Sequence, residues 1–99
     1  THEVLTSVAV GYWDAHDQWL SLQRVSRSQV RFSSLSARQI DRYVATEEPF
    51  GKAGGYGIQG VAALFIDCIN GSYSGIMGLP AYETSQLLEA VGVELVVTP

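Results

Sequence analysis

The only lysine of the chain lies in its most glycine-rich segment, "EEPFGKAGGYGIQG", residues 47–60, which we call the glycine loop. This loop holds five of the ten glycines in the sequence. Successive glycines allow backbone N–H groups to converge on an anion, and Lys52 would add a point charge. The residue types therefore predict phosphate binding. A tight connection with Lys52 merely exposed is the alternative that composition leaves open.

Two better-known phosphate-binding motifs do not fit the loop. In a P-loop the lysine is followed by Ser or Thr, with a further glycine five residues before the Gly-Lys pair; here Ala53 follows Lys52 and that glycine is missing. Residues 55–60 spell the letters GxGxxG, but that motif needs a strand before it and a helix after it. Here a predicted helix precedes the loop and a β-prone run follows it. The sequence match therefore does not indicate a dinucleotide-binding site.

Other side chains with chemical potential have weaker patterns. His2 and His16 lack a partner at metal-ligand spacing, and Cys68 lies in a β-prone run that predicts a buried structural thiol. Glu47 and Glu48 are adjacent and are expected to end a helix as solvated charges. All five arginines fall within nineteen residues: Arg24, Arg27, Arg31, Arg38 and Arg42. We favour the interpretation that they lie on a solvated surface. A basic patch that faces the substrate stays open as the alternative.

Composition limits the class of protein. The chain has 99 residues, 46% hydrophobic and 16% charged, which indicates one globular domain or part of one. A net charge of −4 argues against a nucleic-acid partner. The longest apolar run, residues 61–66, is far shorter than the roughly 20 residues that span a bilayer. A single cysteine fits a reducing compartment, so we expect a cytoplasmic protein without a membrane partner.

The first half of the chain predicts a hairpin and a helix. Residues 2–13 and 19–32 are rich in β-prone residues around a polar turn at 14–17, which indicates two antiparallel strands. Ser36 and Gln39 form a capping-box pattern at the start of a helix that Pro49 ends. The buried stripe of this helix is predicted to be Ile40, Tyr43 and Val44.

The second half predicts another hairpin and a closing helix. Residues 61–69 and 72–77 are expected to form strands around the Asn-Gly turn at 70–71. A helix follows from Pro80 to Gly92, and the tail, residues 94–99, is an edge strand or is frayed. The order β-β-α-loop-β-β-α predicts an α/β fold of the mixed α+β kind, with helices packed against an antiparallel or mixed sheet.

Two segments together resemble a known family. "EPFGKAGGYGIQG", followed by "NGSYSGIMGLPAYET" and a Leu-rich helix, resembles the C-terminal half of the Maf family of nucleoside-triphosphate pyrophosphatases. These enzymes remove pyrophosphate from dTTP, UTP or modified pyrimidine nucleotides. "THEVLTSVAV" and "VRFSSLSARQIDRYVATEEP" are similar to the strand and helix before the loop in that family. The resemblance covers nearly the whole chain and implies that residues 1–99 are the C-terminal portion of a Maf/ITPase-like domain.

The resemblance also assigns residues in the loop. The family pattern Glu-Pro-x-Asp-Lys-Ala-Gly begins at Glu48, with Gly51 where an aspartate is common. Gln59 matches the glutamine that the family associates with substrate choice. The residues predicted to bind substrate are therefore Lys52, Gln59, Gly54 and Gly55.

The resemblance further implies what lies elsewhere. The family's Ser-x-Ser-Pro-Arg-Arg and Gly-Ala-Asp-Thr segments, the latter with the general base, do not occur in this sequence. We therefore expect no catalytic residue and no metal ligand in this chain, although the reaction needs a divalent cation, Mg²⁺ or Mn²⁺. The expected partners are a nucleoside triphosphate and the missing N-terminal half, without which the chain is expected to be inactive; a homodimer is left open.

Two other functions remain open at this point. The chain could act as a truncated, non-catalytic nucleotide-binding module or, since the family takes its name from septum formation, as a regulatory module in cell division. It could also be an incomplete domain without independent activity. Assay of pyrophosphate release, with and without the N-terminal half, separates these alternatives from the enzyme.

Overall fold

The chain is built on a long two-stranded hairpin. A computed structural model describes residues 1–98. Strand β1, His2–Trp13, pairs antiparallel with β2, Trp19–Phe32, from His2 opposite Val30 to Trp13 opposite Trp19. Both strands confirm the predicted bounds. A third strand, β3, Ile66–Asn70, pairs antiparallel with the other edge of β2, so the sheet order is β1-β2-β3.

The two faces of the sheet differ because side chains alternate along each strand. The face that carries Ser26, Ser28 and Val30 is covered by helices, and these three residues are buried. The opposite face carries Leu5 and Arg27, which are register partners, and Leu5 is 54% exposed. The helices therefore cover one face of the sheet among the residues that the structure describes.

Helix α1, Ala37–Ala45, begins as its capping box predicts. The backbone N–H of Gln39 donates to Ser36 Oγ at 3.1 Å, and the Ser36 N–H donates to Gln39 Oε1 at 2.8 Å. The predicted buried stripe is wrong for Ile40 and Val44, both close to half exposed. The reason is position: α1 lies off the sheet and contacts the rest of the chain through Tyr43, whose ring meets that of Phe65 edge-on at 6.1 Å.

The predicted second hairpin is wrong. Residues Val61–Leu64 form a 3₁₀ turn, and β3 begins only at Ile66. After the Asn-Gly turn the chain does not return as a strand; it forms a short helix, α2, Tyr73–Met77. Ser72 starts this helix because its Oγ accepts a hydrogen bond from the Gly75 N–H at 3.0 Å. The mixed α+β class is confirmed, with three strands and three helices instead of four strands and two.

The closing helix is confirmed as α3, Ala81–Ala90, preceded by the buried Pro80. Leu87 is its buried side chain, and it packs the helix on β1 and β2. Gly92 has φ of +90°, the left-handed conformation that ends a helix at glycine. Residues 94–98 of the tail form a turn and no strand, while Pro99 lies outside the described residues.

Helix α2 sits very close to the sheet at Gly75. Its carbonyl accepts a hydrogen bond from Thr6 Oγ1 at 2.7 Å, and a Cβ at Gly75 would lie 2.3 Å from Ser26 Oγ. Only glycine permits this approach, so α2 and the buried serines of β2 are packed as a unit.

Replacing Gly75 with alanine is expected to lower the free energy of unfolding by about 1–3 kcal/mol, because the methyl group overpacks the contact with β2. Urea denaturation measures the loss. Adding Ser26→Ala, which removes the clashing Oγ, should restore part of the stability. A Gly75→Ala variant as stable as wild type would contradict the packing described.

The core of the described residues is small. The buried apolar side chains are Val30, Ala62, Pro80 and Leu87. The radius of gyration is 17.6 Å, against about 13 Å for a compact domain of 100 residues.

At the far end of the hairpin, the exposed rings of Trp13 and Trp19 meet edge to face at 5.3 Å. None of the helices in residues 1–98 is long and apolar enough to cross a membrane.

Candidate functional site

The glycine loop folds over the start of β1 and forms one wall of a cleft. The cleft has a volume of about 640 Å³. Its other walls are the first residues of β1, from His2 to Thr6, and the end of α2 with Gly78. Three loop glycines have φ near +75°, a conformation that side chains other than glycine rarely adopt: Gly51, Gly54 and Gly55. The loop conformation therefore depends on glycine at these places.

The structure brings three of the four predicted binding residues to this cleft. Lys52, Gln59 and Gly54 line it, whereas Gly55 is not among its lining residues. The side chains of Lys52 and Gln59 are exposed and available to a ligand. Gly55 contributes to the turn conformation, with φ of +74°.

Lys52 is the only lysine or arginine that lines the cleft in the described part of the chain. Its Nζ donates to the backbone carbonyl of Glu48 at 2.7 Å. An ammonium group has three N–H donors, so this contact leaves two for a ligand. The arrangement suits an anion such as a phosphate group.

The side chain of Glu48 holds the loop together, and sequence reasoning missed it. Its carboxylate accepts hydrogen bonds from the N–H groups of Val61, at 2.8 Å, and Ala62, at 3.2 Å. The Tyr43 hydroxyl also donates to it. The prediction that Glu48 is a solvated helix end is therefore wrong. These N–H groups belong to the first turn of the 3₁₀ segment, which explains why the expected strand does not begin at Val61.

The hydrogen bonds shift the pKa values of both partners. The Tyr43 hydroxyl, the N–H groups of Val61 and Ala62, and the charge of Lys52 lower the pKa of Glu48 below its ordinary value of 4.5, against an opposing effect of desolvation. Desolvation and the hydrogen bond to Glu48 raise the pKa of Tyr43. Glu48 is therefore ionised and Tyr43 protonated at neutral pH.

We expect acid to release the loop. Folding lowers the pKa of Glu48 below its ordinary value of 4.5. The ionised carboxylate therefore stabilises the loop fully above pH 4.5, and this stabilisation is lost as the pH falls through the lower pKa of the folded state. Amide hydrogen exchange, corrected for the intrinsic pH dependence of exchange, should show loss of protection at Val61 and Ala62 on that acid side. A Glu48→Gln variant should show weak protection at all pH values. Protection that is independent of pH in the wild-type chain would contradict this role.

An aromatic cluster joins the loop to the sheet. His2 Nε2 and the Tyr56 hydroxyl lie 2.8 Å apart, within hydrogen-bond distance. The His2 ring stacks on Phe32 at 5.6 Å, and Phe32 meets Tyr56 edge-on at 5.0 Å. Burial raises the pKa of Tyr56. His2 and Tyr56 line the cleft, so the cluster defines its wall at the start of β1.

The arginines of β2 lie on the exposed surface and do not line the cleft. Arg27 forms an ion pair with Glu3 at 3.7 Å, and Arg31 with Asp67 at 2.6 Å, both on exposed side chains. Asp67 also raises the pKa of Arg31, through its hydrogen bond and its charge. The solvated-surface interpretation is favoured for all three arginines of β2, since Arg24 is also exposed and none of them lines the cleft.

The prediction that Cys68 is a buried thiol is wrong. The thiol is exposed. Its register partner on β2 is Arg31, so Cys68 belongs to the sheet face that the helices leave uncovered. The apolar run predicted the strand but not which of its residues would face the helices.

Potential metal ligands are not clustered among the described residues. Within residues 1–98, no group of three or more His, Cys, Asp or Glu side chains is arranged to hold a metal ion. Of the two glutamates that line the cleft, Glu48 is held by Tyr43 and two N–H groups, whereas Glu3 forms only an exposed ion pair with Arg27 at 3.7 Å. Residues 1–98 therefore lack a grouped set of ligands for the divalent cation expected from the sequence resemblance.

Comparison with known proteins gives the family. Residues 1–91 match the family model described as Maf-like protein. The chain is 56% identical over 95 residues to the dTTP/UTP pyrophosphatase of Aromatoleum aromaticum, covering 96% of this chain and 44% of that protein. It is 52% identical over 95 residues to the dTTP/UTP pyrophosphatase of Albidiferax ferrireducens, covering 96% of the chain and 45% of the relative. The chain belongs to the Maf family.

The relatives are longer than this chain. It covers 46% of the dTTP/UTP pyrophosphatase of Chromobacterium violaceum, with 50% identity over 95 residues. The chain therefore spans less than half the length of these curated relatives. The resemblance predicted from the loop and the two flanking segments is confirmed at the level of the family.

Proposed function

We propose that this chain is the nucleotide-binding part of a nucleoside-triphosphate pyrophosphatase that acts on dTTP, UTP or modified pyrimidine nucleotides. The observation that carries the proposal is the cleft, in which the glycine loop presents the cation of Lys52 and the carboxamide of Gln59 together. The names of the relatives, each a dTTP/UTP pyrophosphatase, supply the substrate class.

In this proposal Lys52 binds the phosphate chain. Two of its N–H donors are available after the contact with the Glu48 carbonyl, and a triphosphate offers several anionic oxygens. Charge-assisted hydrogen bonds of this kind are stronger than neutral ones. Lys52 therefore binds every nucleoside triphosphate, irrespective of its base.

Gln59 reads the base. A carboxamide donates and accepts hydrogen bonds at once, as does the edge of uracil or thymine, where an N–H lies between two carbonyl oxygens. Gln59 is exposed at the cleft, on the turn just before Gly60. Its side chain therefore discriminates between pyrimidines without contributing to cleavage.

The reaction is hydrolysis at the α-phosphate. A water oxygen forms a bond to the α-phosphorus as the bond to the bridging oxygen breaks. Pyrophosphate leaves with that electron pair, and the proton of the water passes to a base. The Glu48 carboxylate at the cleft is held by Tyr43 and two N–H groups, and we assign the base to a second half of the protein, together with any Mg²⁺ or Mn²⁺.

The exposed apolar surface supports the need for a second half. Large side chains such as Phe50, Leu64 and Leu79 are 63–81% exposed, and the buried apolar core of residues 1–98 is small. Surfaces of this kind are typical of protein contacts. We propose that residues corresponding to the rest of the relatives' length cover them, and that the assembled enzyme works in the cytoplasm. A homodimer is a further possibility that size measurement of the assembly would test.

A non-catalytic role is the second candidate for the 99 residues alone. The engagement of Glu48 favours it, because this carboxylate is held by Tyr43 and two backbone N–H groups and does not activate water while the cleft binds a nucleotide. A module of this kind would regulate other proteins, in cell division for example, by its nucleotide occupancy.

The test uses a chimera in which this chain replaces the segment that it matches in the Aromatoleum aromaticum enzyme. Pyrophosphate release from dTTP, UTP and dCTP is measured with Mg²⁺ for the chimera, the parent enzyme and the 99-residue chain. We expect turnover by the chimera and none by the chain alone. Turnover by the chain alone would place the base within it. A folded but inactive chimera beside an active parent would contradict the enzymatic proposal.

A further inference from the structure

Glu48 contacts the chain at two places, at Lys52 within the glycine loop and directly after the loop. Its backbone carbonyl accepts from Lys52 Nζ at 2.7 Å, which places the phosphate-binding cation. Its carboxylate accepts from the N–H groups of Val61 and Ala62, directly after the turn that carries Gln59. One residue therefore contacts both Lys52 and the backbone that follows Gln59.

The loop is shaped to receive this carboxylate. A Cβ at Gly60 would lie 1.8 Å from Glu48 Oε1, so any side chain there would displace the carboxylate. Tyr43 secures it from the side of α1, because its hydroxyl donates to Glu48 and accepts from the Gly57 N–H at 3.4 Å. The same tyrosine ring is packed on Phe65.

We infer that Glu48 is a positioning residue that sets the distance between Lys52 and Gln59, and so allows one nucleotide to reach both. The inference rests on the proposed function of those two residues. Glu48 does not itself touch the substrate, because its carboxylate oxygens are directed at Tyr43 and the backbone. The carboxylate group is required, since it accepts hydrogen bonds at both oxygens whereas a glutamine side chain accepts at only one.

The first measurement is kinetic and uses the chimera. Glu48→Ala is expected to lower kcat/KM for dTTP by about 10- to 100-fold, the cost typical of misplaced substrate-positioning groups, and Glu48→Gln by less. Glu47→Gln is the matched control: it removes the adjacent carboxylate, which is exposed, and we expect a change within about twofold. Circular dichroism verifies that each variant is folded. Equal effects of the Glu47 and Glu48 changes would overturn the inference.

The second measurement separates positioning from a general effect on the fold. Glu48→Ala keeps the backbone carbonyl that contacts Lys52 and removes only the carboxylate that binds the backbone after Gln59. If that carboxylate places Gln59, then Gln59→Ala should cost much less in the Glu48→Ala background than in wild type. Strictly additive effects of the two changes would contradict the inference. The preference for dTTP over dCTP should also weaken in Glu48→Ala, because Gln59 is displaced.

The third measurement does not depend on turnover. Hydrogen exchange of the Val61 and Ala62 amides should become faster in Glu48→Ala and remain unchanged in Glu47→Gln. Gly60→Ala should resemble Glu48→Ala, because its methyl group expels the carboxylate. Unchanged protection in Glu48→Ala would refute the positioning role even if the chimera were inactive, while inactivity of the unmodified chimera would refute only the proposed function.

Discussion

Lys52→Ala is expected to lower kcat/KM of the chimera by about 10- to 100-fold for every nucleoside triphosphate tested. The change removes the only lysine or arginine at the cleft among residues 1–98, and a hydrogen bond to a charged group contributes about 1.5–3 kcal/mol. Because phosphate is common to all the substrates, dTTP, UTP and dCTP should be affected alike. Initial rates of pyrophosphate release over a range of nucleotide concentrations measure the effect.

The control for Lys52 is Arg38→Ala. Arg38 is an exposed cation of α1 that does not line the cleft, so its removal changes net charge equally without touching the site. We expect little effect on kcat/KM. Losses of equal size in both variants would show that Lys52 acts only through overall charge. A loss confined to one base would contradict its assignment to the phosphates.

Gln59→Ala is expected to change base preference more than overall rate. A polar group built to pair with a substrate discriminates strongly against an analogue that leaves it unpaired. We expect the ratio of kcat/KM for dTTP to that for dCTP to fall by about tenfold, the value of one hydrogen bond at the upper end of its neutral range. The measurement is competition between the two nucleotides in one reaction.

The matched control for Gln59 is Gln29→Ala on β2, which removes the same functional group outside the cleft. It should leave the dTTP to dCTP ratio unchanged. If Gln59→Ala lowers the rate for both nucleotides equally, Gln59 supports the loop and does not read the base.

The hairpin and α1 could be predicted from sequence because the determining interactions are local. The β-prone residues of 2–13 and 19–32 around a polar turn predict both strands to the residue, and the Ser36–Gln39 pair predicts the helix start. These patterns depend only on neighbours in the chain or directly across the turn. The closing helix was likewise predictable from Pro80 and Gly92.

The segments that were predicted wrongly are controlled by distant contacts. Residues 61–64 are β-prone, but the Glu48 carboxylate, thirteen residues earlier, binds the first N–H groups and favours a 3₁₀ turn. The cap at Ser72 is local and was overlooked, but the packing of residues 73–77 as a helix depends on Gly75, which allows it to approach Ser26 of β2. Propensity along the chain contains neither interaction.

The candidate site was partly predictable. The lone lysine in a glycine loop and the family resemblance indicate Lys52, Gln59 and Gly54, which do line the cleft. Gly55 does not line it, and its predicted contact with substrate stays a prediction. Clustered glycines do not show which backbone faces a ligand. Glu48 was missed because an acidic residue before proline resembles an ordinary helix end. Its position within the Glu-Pro family pattern was the one available indication.

Trp13 and Trp19 at the end of the hairpin provide an intrinsic fluorescence probe. They are the only two in the chain, and their rings contact each other far along the sheet from the cleft-lining residues. Their fluorescence therefore depends on whether β1 and β2 are paired. We expect the emission to remain unchanged when a nucleotide binds. Emission of the isolated chain thus follows formation of the hairpin separately from occupancy of the cleft, without an added label.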